Sequence, residues 1–397
     1  MPLKFASRLD NVETSAIREL FKLLGKPGVI SFAGGFPDAA MFDVEGIRES
    51  VNRALQQEAG GALQYGATEG YEPLREQLSV FMASKGVAVG ADGMIVTTGS
   101  QQALDLIGKT MISPGDKVIV EGPTFLATIQ CFRLYGADII SAPIDENGVK
   151  VDVLEQLIVE HKPKFVYLIP TFGNPSGRML SLERRKRVLE LAVNYETLVV
   201  EDDPYGDLYF GNPPPPSILS LCAQQPGARE WVAHCGSLSK VLSPGLRVGW
   251  MIARPELLAK ATMCKQFSDA HTSTFAQATA AQYLKSGRMP ATLAKVRKTY
   301  AERAAAMGAA LKRELGDAIE FTHPQGGLFF WARLTGANGK ISNATEFAKK
   351  AIEEKVAFVP GAPFFATNPD VSTLRLSFAT ADVAKIEEGA GRLGRAL

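Results

Sequence analysis

The segment SLSKVLSPGLR at positions 237–247 holds a lysine, several hydroxyls and a guanidinium close together. The amine of Lys240 can form a Schiff base with a carbonyl carbon. The planar fork of Arg247 matches phosphate oxygens, and Ser237 and Ser239 supply hydroxyl donors. The segment therefore suits a phosphate held beside an amine, although a loop with an ordinary surface lysine remains an open interpretation of these residues alone.

A second candidate is Ser100, which follows the apolar run MIVTT (94–98) and Gly99 at the start of a helical pattern. The first turn of a helix has free backbone N–H groups and the positive end of the helix dipole, so it forms a natural phosphate seat. An ordinary N-cap also explains a serine at this place. The residues alone leave both interpretations open.

Two further residues stand just beyond the ends of strand-like runs. Phe125 in EGPTFLATIQ could stack on a flat ring, although a phenylalanine of the core is the alternative. Asn174 in PTFGNPSGR could donate to a ring hydroxyl or phenolate oxygen, whereas turn chemistry alone also selects Asn before Pro. Each of these residues indicates a planar ligand only if other candidate residues lie beside it in the folded protein.

Charged residues also occur in two apolar strands. Asp202 ends the run TLVVED (197–202), and Tyr205 follows it. A carboxylate at the inner end of a strand loses solvation unless a cation meets it, and a protonated pyridine nitrogen is such a partner. A metal is the alternative for Asp202 and Asp203, although no histidine or further carboxylate cluster accompanies them. Arg375 in STLRLSFA predicts either a bound carboxylate or a structural ion pair.

Composition narrows the function class. The chain has 397 residues, with 43 Lys and Arg against 42 Asp and Glu, so no global field attracts nucleic acid or an anionic membrane. The apolar runs are too short to span a bilayer. The N-terminus has no apolar core run, so we expect no signal peptide and a cytoplasmic location. Scattered cysteines and histidines predict no disulfide framework and no metal site.

Seven short apolar runs alternate with helical patterns in the first two thirds of the chain. They are MIVTT (94–98), KVIVE (117–121), DIISAPI (138–144), KFVYLIP (164–170), TLVVED (197–202), WVAHCGS (231–237) and LRVGWMI (246–252). Nearly continuous apolar strands are typical of a sheet covered on both faces, and intervening helices favour an α/β domain with a mainly parallel sheet. Ligands of such sheets bind at the carboxyl ends of the strands, where the candidate residues fall.

A long helical pattern from about Pro290 to Leu315, with Gly316 as its stop, precedes shorter strands and helices. A helix of this length is suited to linking two domains. We therefore expect a large domain over residues 46–295, and a small α+β domain in which residues 296–397 pack with residues 1–45.

In their order along the chain, these motifs resemble fold-type I pyridoxal 5′-phosphate enzymes, specifically class I/II aminotransferases of the 2-aminoadipate and kynurenine aminotransferase group. The resemblance spans nearly the whole chain. It implies an α/β fold with a large domain on a mainly parallel seven-stranded sheet between helices, and a small α+β domain. It also implies a homodimer with shared active sites that transaminates an L-amino acid with a 2-oxo acid, using pyridoxal 5′-phosphate as cofactor.

The same resemblance implies roles for the candidate residues. Lys240 would carry the cofactor as a Schiff base and move a proton between the substrate Cα and the cofactor. Asp202 would pair with the pyridine nitrogen, while Asn174 and Tyr205 would contact the ring oxygen. The remaining assignments are Phe125 for stacking on the ring, where many relatives have tyrosine; Arg375 and Asn174 for the substrate α-carboxylate, near the backbone of Gly35; and Ser100, Gln101, Ser237, Ser239, Arg247 and Tyr65 of the partner subunit for the phosphate.

Substrate choice depends on the segment SAIREL near the N-terminus. It resembles a helix of the aminoadipate group in which an arginine, here Arg18, meets the distal carboxylate of a dicarboxylate. The resemblance thus implies 2-oxoglutarate as acceptor and leaves the donor open. A lyase, decarboxylase or racemase on the same fold is an alternative, because the fold and Lys240 cannot separate these reactions. A regulatory domain is disfavoured, since the resemblance leaves no room for a helix-turn-helix module.

Overall fold

The computed structural model describes residues 3–9 and 28–397 of the chain. The helix predicted over residues 13–24, and Arg18 within it, lie outside the described residues. The strands are β1 (Ile30–Ser31), β2 (Met94–Thr97), β3 (Lys117–Gly122), β4 (Asp138–Asp145), β5 (Gly148–Val149), β6 (Phe165–Leu168), β7 (Leu198–Asp203), β8 (Val232–Ser237), β9 (Gly249–Ile252), β10 (Ile319–Phe321), β11 (Phe329–Leu334), β12 (Val356–Ala357), β13 (Val359–Pro360) and β14 (Thr373–Ser377).

The α-helices surround these strands. They are α1 (Val44–Leu63), α2 (Glu72–Ala83), α3 (Ser100–Met111), α4 (Leu126–Leu134), α5 (Val151–His161), α6 (Leu182–Asn194), α7 (Ile218–Leu221), α8 (Pro255–Ser268), α9 (Thr274–Lys285), α10 (Met289–Leu315), α11 (Ala344–Glu353) and α12 (Val383–Ala396). Among the described ranges, no helix combines the length and the apolar character that crossing a membrane requires.

The large sheet contains all seven predicted strands. Its order is β2-β9-β8-β7-β6-β3-β4-β5, in which the short β5 adds an eighth strand by forming a hairpin with β4. Strands β4, β3, β6, β7 and β8 run parallel, whereas β9 is antiparallel to both β8 and β2. Every residue of β6 is buried. Because successive side chains of a strand point to opposite faces, this sheet is covered on both sides.

The second unit is a smaller antiparallel sheet of order β10-β11-β14-β13, accompanied by α11 and α12. Strand β1 pairs in parallel with β12, so residues 30–31 join this unit. Helix α10 leads into it and packs along α12. It ends at Gly316, whose φ of +58° is a backbone conformation that favours glycine. The predicted domain boundaries at residues 45 and 295 stay a prediction.

Candidate active site

A cavity of about 410 Å³ opens at the carboxyl ends of the parallel strands. Its lining includes twelve of the residues selected from the sequence. These are Gly35, Ser100, Gln101, Phe125, Asn174, Asp202, Tyr205, Ser237, Ser239, Lys240, Arg247 and Arg375. A larger cavity of about 630 Å³ lies beside the tetraproline loop 213–216 and contains none of them. Convergent polar side chains, rather than volume, identify the smaller cavity as the candidate site.

Lys240 lies in the loop that follows β8, with its side chain in the cavity. Its Nζ donates a hydrogen bond to the carbonyl oxygen of Gly35 at 2.8 Å. Burial lowers the pKa of this amine to about 8, and the positive charges of Arg375 and Arg247 act in the same direction. A substantial fraction of the amine is therefore neutral, and hence nucleophilic and basic, near neutral to mildly alkaline pH.

The two serines and the arginine of the same segment form one hydrogen-bonded group. The Oγ of Ser237 donates to the Oγ of Ser239 at 2.9 Å, and it accepts from the Ser239 backbone N–H at 3.1 Å. The guanidinium of Arg247 donates to the Ser239 hydroxyl at 3.4 Å and to the carbonyl oxygen of Thr98 at 3.1 Å. This group places a cation and two hydroxyls beside Ser100, the first residue of α3. Such a group could hold a phosphate, and we call it the cradle.

The backbone of this cradle depends on Gly99, which precedes α3 with φ of +79° and ψ of 166°. That combination is essentially restricted to glycine. A Cβ at this position would also collide with the guanidinium of Arg247. Gly99 therefore allows Arg247 to lie directly against the start of α3.

A further group supports the cradle from behind, and the sequence had not indicated it. The carboxylate of Asp269 accepts hydrogen bonds from the Gln102 amide at 2.7 Å and the Thr98 hydroxyl at 3.1 Å. The fully buried Lys265 forms an ion pair with the same carboxylate at 2.7 Å. These contacts hold the residues on either side of Gly99 in place.

Asp202, the penultimate residue of β7, presents its carboxylate at the floor of the cavity. One oxygen, Oδ2, accepts a hydrogen bond from the hydroxyl of Tyr167 at 2.9 Å. The other oxygen, Oδ1, is buried and has no hydrogen-bond partner among the described residues. Burial raises the pKa of Asp202 to about 7, while the Tyr167 hydrogen bond lowers it. A ligand with a protonated ring nitrogen would satisfy Oδ1 and stabilise the charged carboxylate.

Arg375 on β14 reaches the cavity from the smaller unit. Its guanidinium donates to the Asn174 side-chain oxygen at 2.7 Å and to the carbonyl oxygen of Ala33 at 2.8 Å. It also lies 4.3 Å from the ring centroid of Phe329 and 5.0 Å from that of Phe364. Burial lowers the pKa of Arg375 to about 10, and its Nε has no partner among the described residues. This unneutralised cation suits an incoming carboxylate.

Asn174 links the two halves of the cavity. Its side-chain oxygen accepts from Arg375, and its side-chain nitrogen donates to the hydroxyl of Tyr205 at 3.5 Å. Phe125 precedes α4 and is partly buried against the main core while still lining the cavity. The wall thus combines an amide, a phenol and an aromatic ring, which suits a planar ligand that bears polar substituents.

Among the described residues, one predicted site residue, Tyr65, does not line this cavity. Tyr65 is 85% exposed, and its ring contacts that of His271 edge-on at a centroid distance of 5.7 Å. Arg18 lies outside the described residues. The roles assigned to both therefore remain predictions.

Comparisons with known proteins agree with the kind of site that the geometry of the cavity indicates. The sequence profile described as aminotransferase class I and II matches residues 28–393. A 2-aminoadipate transaminase of Thermus thermophilus is 44% identical over 395 residues, which cover 99% of this chain and 96% of that protein.

Solved structures are also similar to this chain over nearly its whole length. The crystal structure of alpha-aminoadipate aminotransferase from Thermus thermophilus, complexed with N-(5′-phosphopyridoxyl)-L-leucine, has a TM-score of 0.91 and 41% identity, covering 99% of this chain and 97% of that one. The crystal structure of Pyrococcus horikoshii kynurenine aminotransferase in complex with PMP has a TM-score of 0.92 and 38% identity, covering 99% and 96%. Both structures are described with ligands derived from pyridoxal phosphate.

Proposed function

Since the chain belongs to the class I and II aminotransferase family and is a pyridoxal 5′-phosphate-dependent transaminase, we propose that the cavity around Lys240 is its active site. The observation that carries this proposal is the convergence of three chemically distinct groups. A half-buried amine, a hydroxyl and guanidinium cradle, and a buried carboxylate with one unpartnered oxygen line the same cavity.

The residues of the cavity fit the cofactor part by part. The cradle of Ser237, Ser239 and Arg247, with the start of α3 at Ser100 and Gln101, would hold the phosphate. Oδ1 of Asp202 would hold the pyridine nitrogen. The ring itself would lie among Phe125, Asn174 and Tyr205. When bound, the cofactor supplies a reactive carbonyl carbon and a ring that withdraws electrons from the substrate Cα.

Lys240 is the group that moves the proton. Its lowered pKa leaves part of the amine neutral, so Nζ can accept a proton from the substrate Cα and deliver it to the cofactor. The carbonyl oxygen of Gly35 accepts a hydrogen bond from this amine at 2.8 Å and holds it at the cavity. Lys240 thus acts as both general base and general acid.

Arg375 is the residue we assign to the substrate α-carboxylate. Its guanidinium already has two neutral hydrogen-bond acceptors and two aromatic neighbours, but it forms no ion pair with any described residue. A carboxylate would neutralise the buried charge and add charge-assisted hydrogen bonds. Because Asn174 contacts Arg375 directly, we assign it to the same binding step.

The site is completed by a second copy of the chain. Tyr65 follows α1 and projects into solvent instead of into the cavity of its own subunit. A homodimer in which each Tyr65 reaches the phosphate of the other subunit explains a large, exposed aromatic side chain at this place.

For the acceptor we propose 2-oxoglutarate, with 2-aminoadipate as one donor and a broader donor range open. The support is the named activity of the 2-aminoadipate transaminase, whose substrate carries a distal carboxylate, together with Arg18 in SAIREL. Pyruvate lacks that second carboxylate, so the comparison of the two oxo acids isolates its contribution.

Two measurements test these proposals. With a donor amino acid and no acceptor, the holoenzyme should release about one equivalent of 2-oxo acid per site and then stop, and 2-oxoglutarate should restart turnover. Continuous release without an acceptor would exclude the ping-pong reaction.

Arg18→Ala should raise KM for 2-oxoglutarate about tenfold and leave KM for pyruvate unchanged. The matched control is Arg48→Ala, which removes an exposed arginine paired with Glu45; equal effects of the two variants contradict the role of Arg18.

A further inference from the structure

Tyr167 contacts the proposed site from behind and does not line the cavity itself. It lies on β6 with no solvent exposure, and its hydroxyl donates to Oδ2 of Asp202 at 2.9 Å. Among the described residues it is the single hydrogen-bond donor to this carboxylate. A tyrosine inside an apolar strand needs a partner for its hydroxyl, and here that partner is the carboxylate at the cavity floor.

The hydroxyl of Tyr167 has a second hydrogen-bond partner, Thr128 on α4. The Thr128 hydroxyl donates to the Tyr167 oxygen at 3.2 Å, and Thr128 is also fully buried. A hydroxyl has one proton to donate. Because a carboxylate accepts hydrogen bonds, the Tyr167 proton is directed to Asp202 and the Tyr167 oxygen accepts from Thr128, so the three side chains form an ordered chain from α4 to the cavity.

The two oxygens of Asp202 are thereby made different. Oδ2 is occupied by Tyr167, whereas Oδ1 remains without a partner among the described residues. Strands β6 and β7 are paired in register, with Tyr167 opposite Val200, so the backbone fixes the distance between the two side chains. Rotation of the carboxylate would break a buried hydrogen bond, which is costly.

We propose that Tyr167, held by Thr128, is a positioning residue that fixes the Asp202 carboxylate with Oδ1 directed at the cofactor ring nitrogen. This inference rests on the proposed function, since it concerns the carboxylate assigned to that nitrogen. Tyr167 touches neither substrate nor cofactor in this proposal and acts through Asp202.

Electrostatics supports the same role. The hydrogen bond from Tyr167 lowers the pKa of Asp202 against the larger effect of burial, so it favours the charged carboxylate that a protonated ring nitrogen requires. The neighbouring charge of Asp203 opposes it and that of His234 assists it. The ionisable groups around Asp202 are Tyr167, Asp203, Tyr205, His234 and Cys235.

The test compares two tyrosines in matching surroundings. Tyr167→Phe removes the hydroxyl between Thr128 and Asp202. Tyr283→Phe removes the hydroxyl of another tyrosine without solvent exposure, which lies outside the cavity between Thr292 at 2.8 Å and Asp43 at 3.1 Å. Both variants lose a similar hydrogen-bonded group, so the pair separates a general loss of stability from an effect on Asp202.

The first measurement is cofactor affinity, by titrating full-length protein freed of cofactor with pyridoxal 5′-phosphate. We expect the dissociation constant to rise about tenfold in Tyr167→Phe and to stay unchanged in Tyr283→Phe. In steady-state kinetics, kcat of Tyr167→Phe should fall with little change in KM for the donor. The acidic limb of its kcat profile should move to higher pH. Thr128→Val should give the same changes at smaller size.

Asp202→Asn separates failure of this inference from failure of the proposed function. If Asp202→Asn retains wild-type cofactor affinity and kcat, the assignment of Asp202 in the proposed function is wrong. If Asp202→Asn is impaired while Tyr167→Phe matches Tyr283→Phe in affinity and pH profile, Tyr167 is only structural and the inference is overturned. The stability of both Phe variants is compared by thermal unfolding, and Thr128→Val carries the comparison if Tyr167→Phe does not fold.

Discussion

The Nζ of Lys240 lies 2.8 Å from the carbonyl oxygen of Gly35. This hydrogen bond joins the loop after β8 of the large sheet to the segment that follows β1. The two residues are far apart in the chain, and β1 pairs with β12 in the smaller unit. The amine of Lys240 is therefore held where the two units meet. This contact has consequences for stability as well as for catalysis.

Lys240→Met should stabilise the cofactor-free protein at neutral pH while abolishing transamination. Burial lowers the pKa of Lys240 from 10.5 to about 8, so between these values the unfolded chain binds more protons than the folded one. Wild-type stability therefore rises with pH across that window. The variant's advantage of about 1–3 kcal/mol below pH 8 should disappear by about pH 10.5. Urea unfolding at several pH values measures it, and an advantage independent of pH would contradict the lowered pKa.

Arg375→Lys should impair substrate binding more than cofactor binding. A lysine retains the charge but loses the planar fork and the stacking between Phe329 and Phe364. We expect KM for both the donor and the 2-oxo acid to rise about 10- to 100-fold, with unchanged affinity for pyridoxal 5′-phosphate. Arg303→Lys is the control, because Arg303 is a buried arginine paired with Asp38 outside the cavity. An equal rise of KM in the control would refute the assignment of Arg375.

Gly99→Ala should weaken cofactor binding through Arg247. The new Cβ would occupy the place of the guanidinium, and the backbone angles at this position exclude other residues. We expect a loss of stability of about 1–3 kcal/mol and a loss of cofactor affinity. Gly115→Ala is the control, since Gly115 has φ of +86° with open space around it. That variant should lose stability alone, as followed by thermal unfolding and cofactor titration.

Tyr65 and Lys240 should complement each other between subunits. In a mixed dimer of Tyr65→Ala and Lys240→Ala chains, one site receives the intact Lys240 of the first chain and the intact Tyr65 of the second. Mixing and refolding equal amounts should restore about one quarter of wild-type activity at limiting cofactor. Activity no greater than the mean of the two separate variants would show that Tyr65 does not serve the opposite subunit.

The strands of this protein and the residues that line the candidate site were predictable because local patterns indicate them. The run KFVYLIP predicts a buried strand, and β6 occupies Phe165–Leu168. Asp202 and Arg375 were recognisable since a charge in an apolar strand requires a partner. The family and the cofactor followed from the order of such motifs, and the comparisons confirm both.

The supporting residues were not predictable in the same way. Tyr167 is indistinguishable from a core aromatic until the pairing of β6 with β7 brings it to Asp202. Lys265 and Asp269 have the spacing of an ordinary surface ion pair on a helix, yet Lys265 is fully buried beneath the cradle. The contacts of Tyr167 with Asp202, and of Asp269 with Thr98 and Gln102, join segments that are distant in sequence, so no local pattern reveals them.

The pairing of β2 with β9 also determines when the start of α3 and Arg247 can come together during synthesis of the chain. In the large sheet β2 pairs with β9 alone, and its Thr97 lies opposite Gly249. The start of α3 on one side and Arg247 on the other are consequently brought together by a contact between an early and a late part of the chain. While the ribosome still holds residues 249–252, Arg247 cannot lie against the start of α3, so the proposed phosphate site forms only after the last strand of the large sheet has been synthesised.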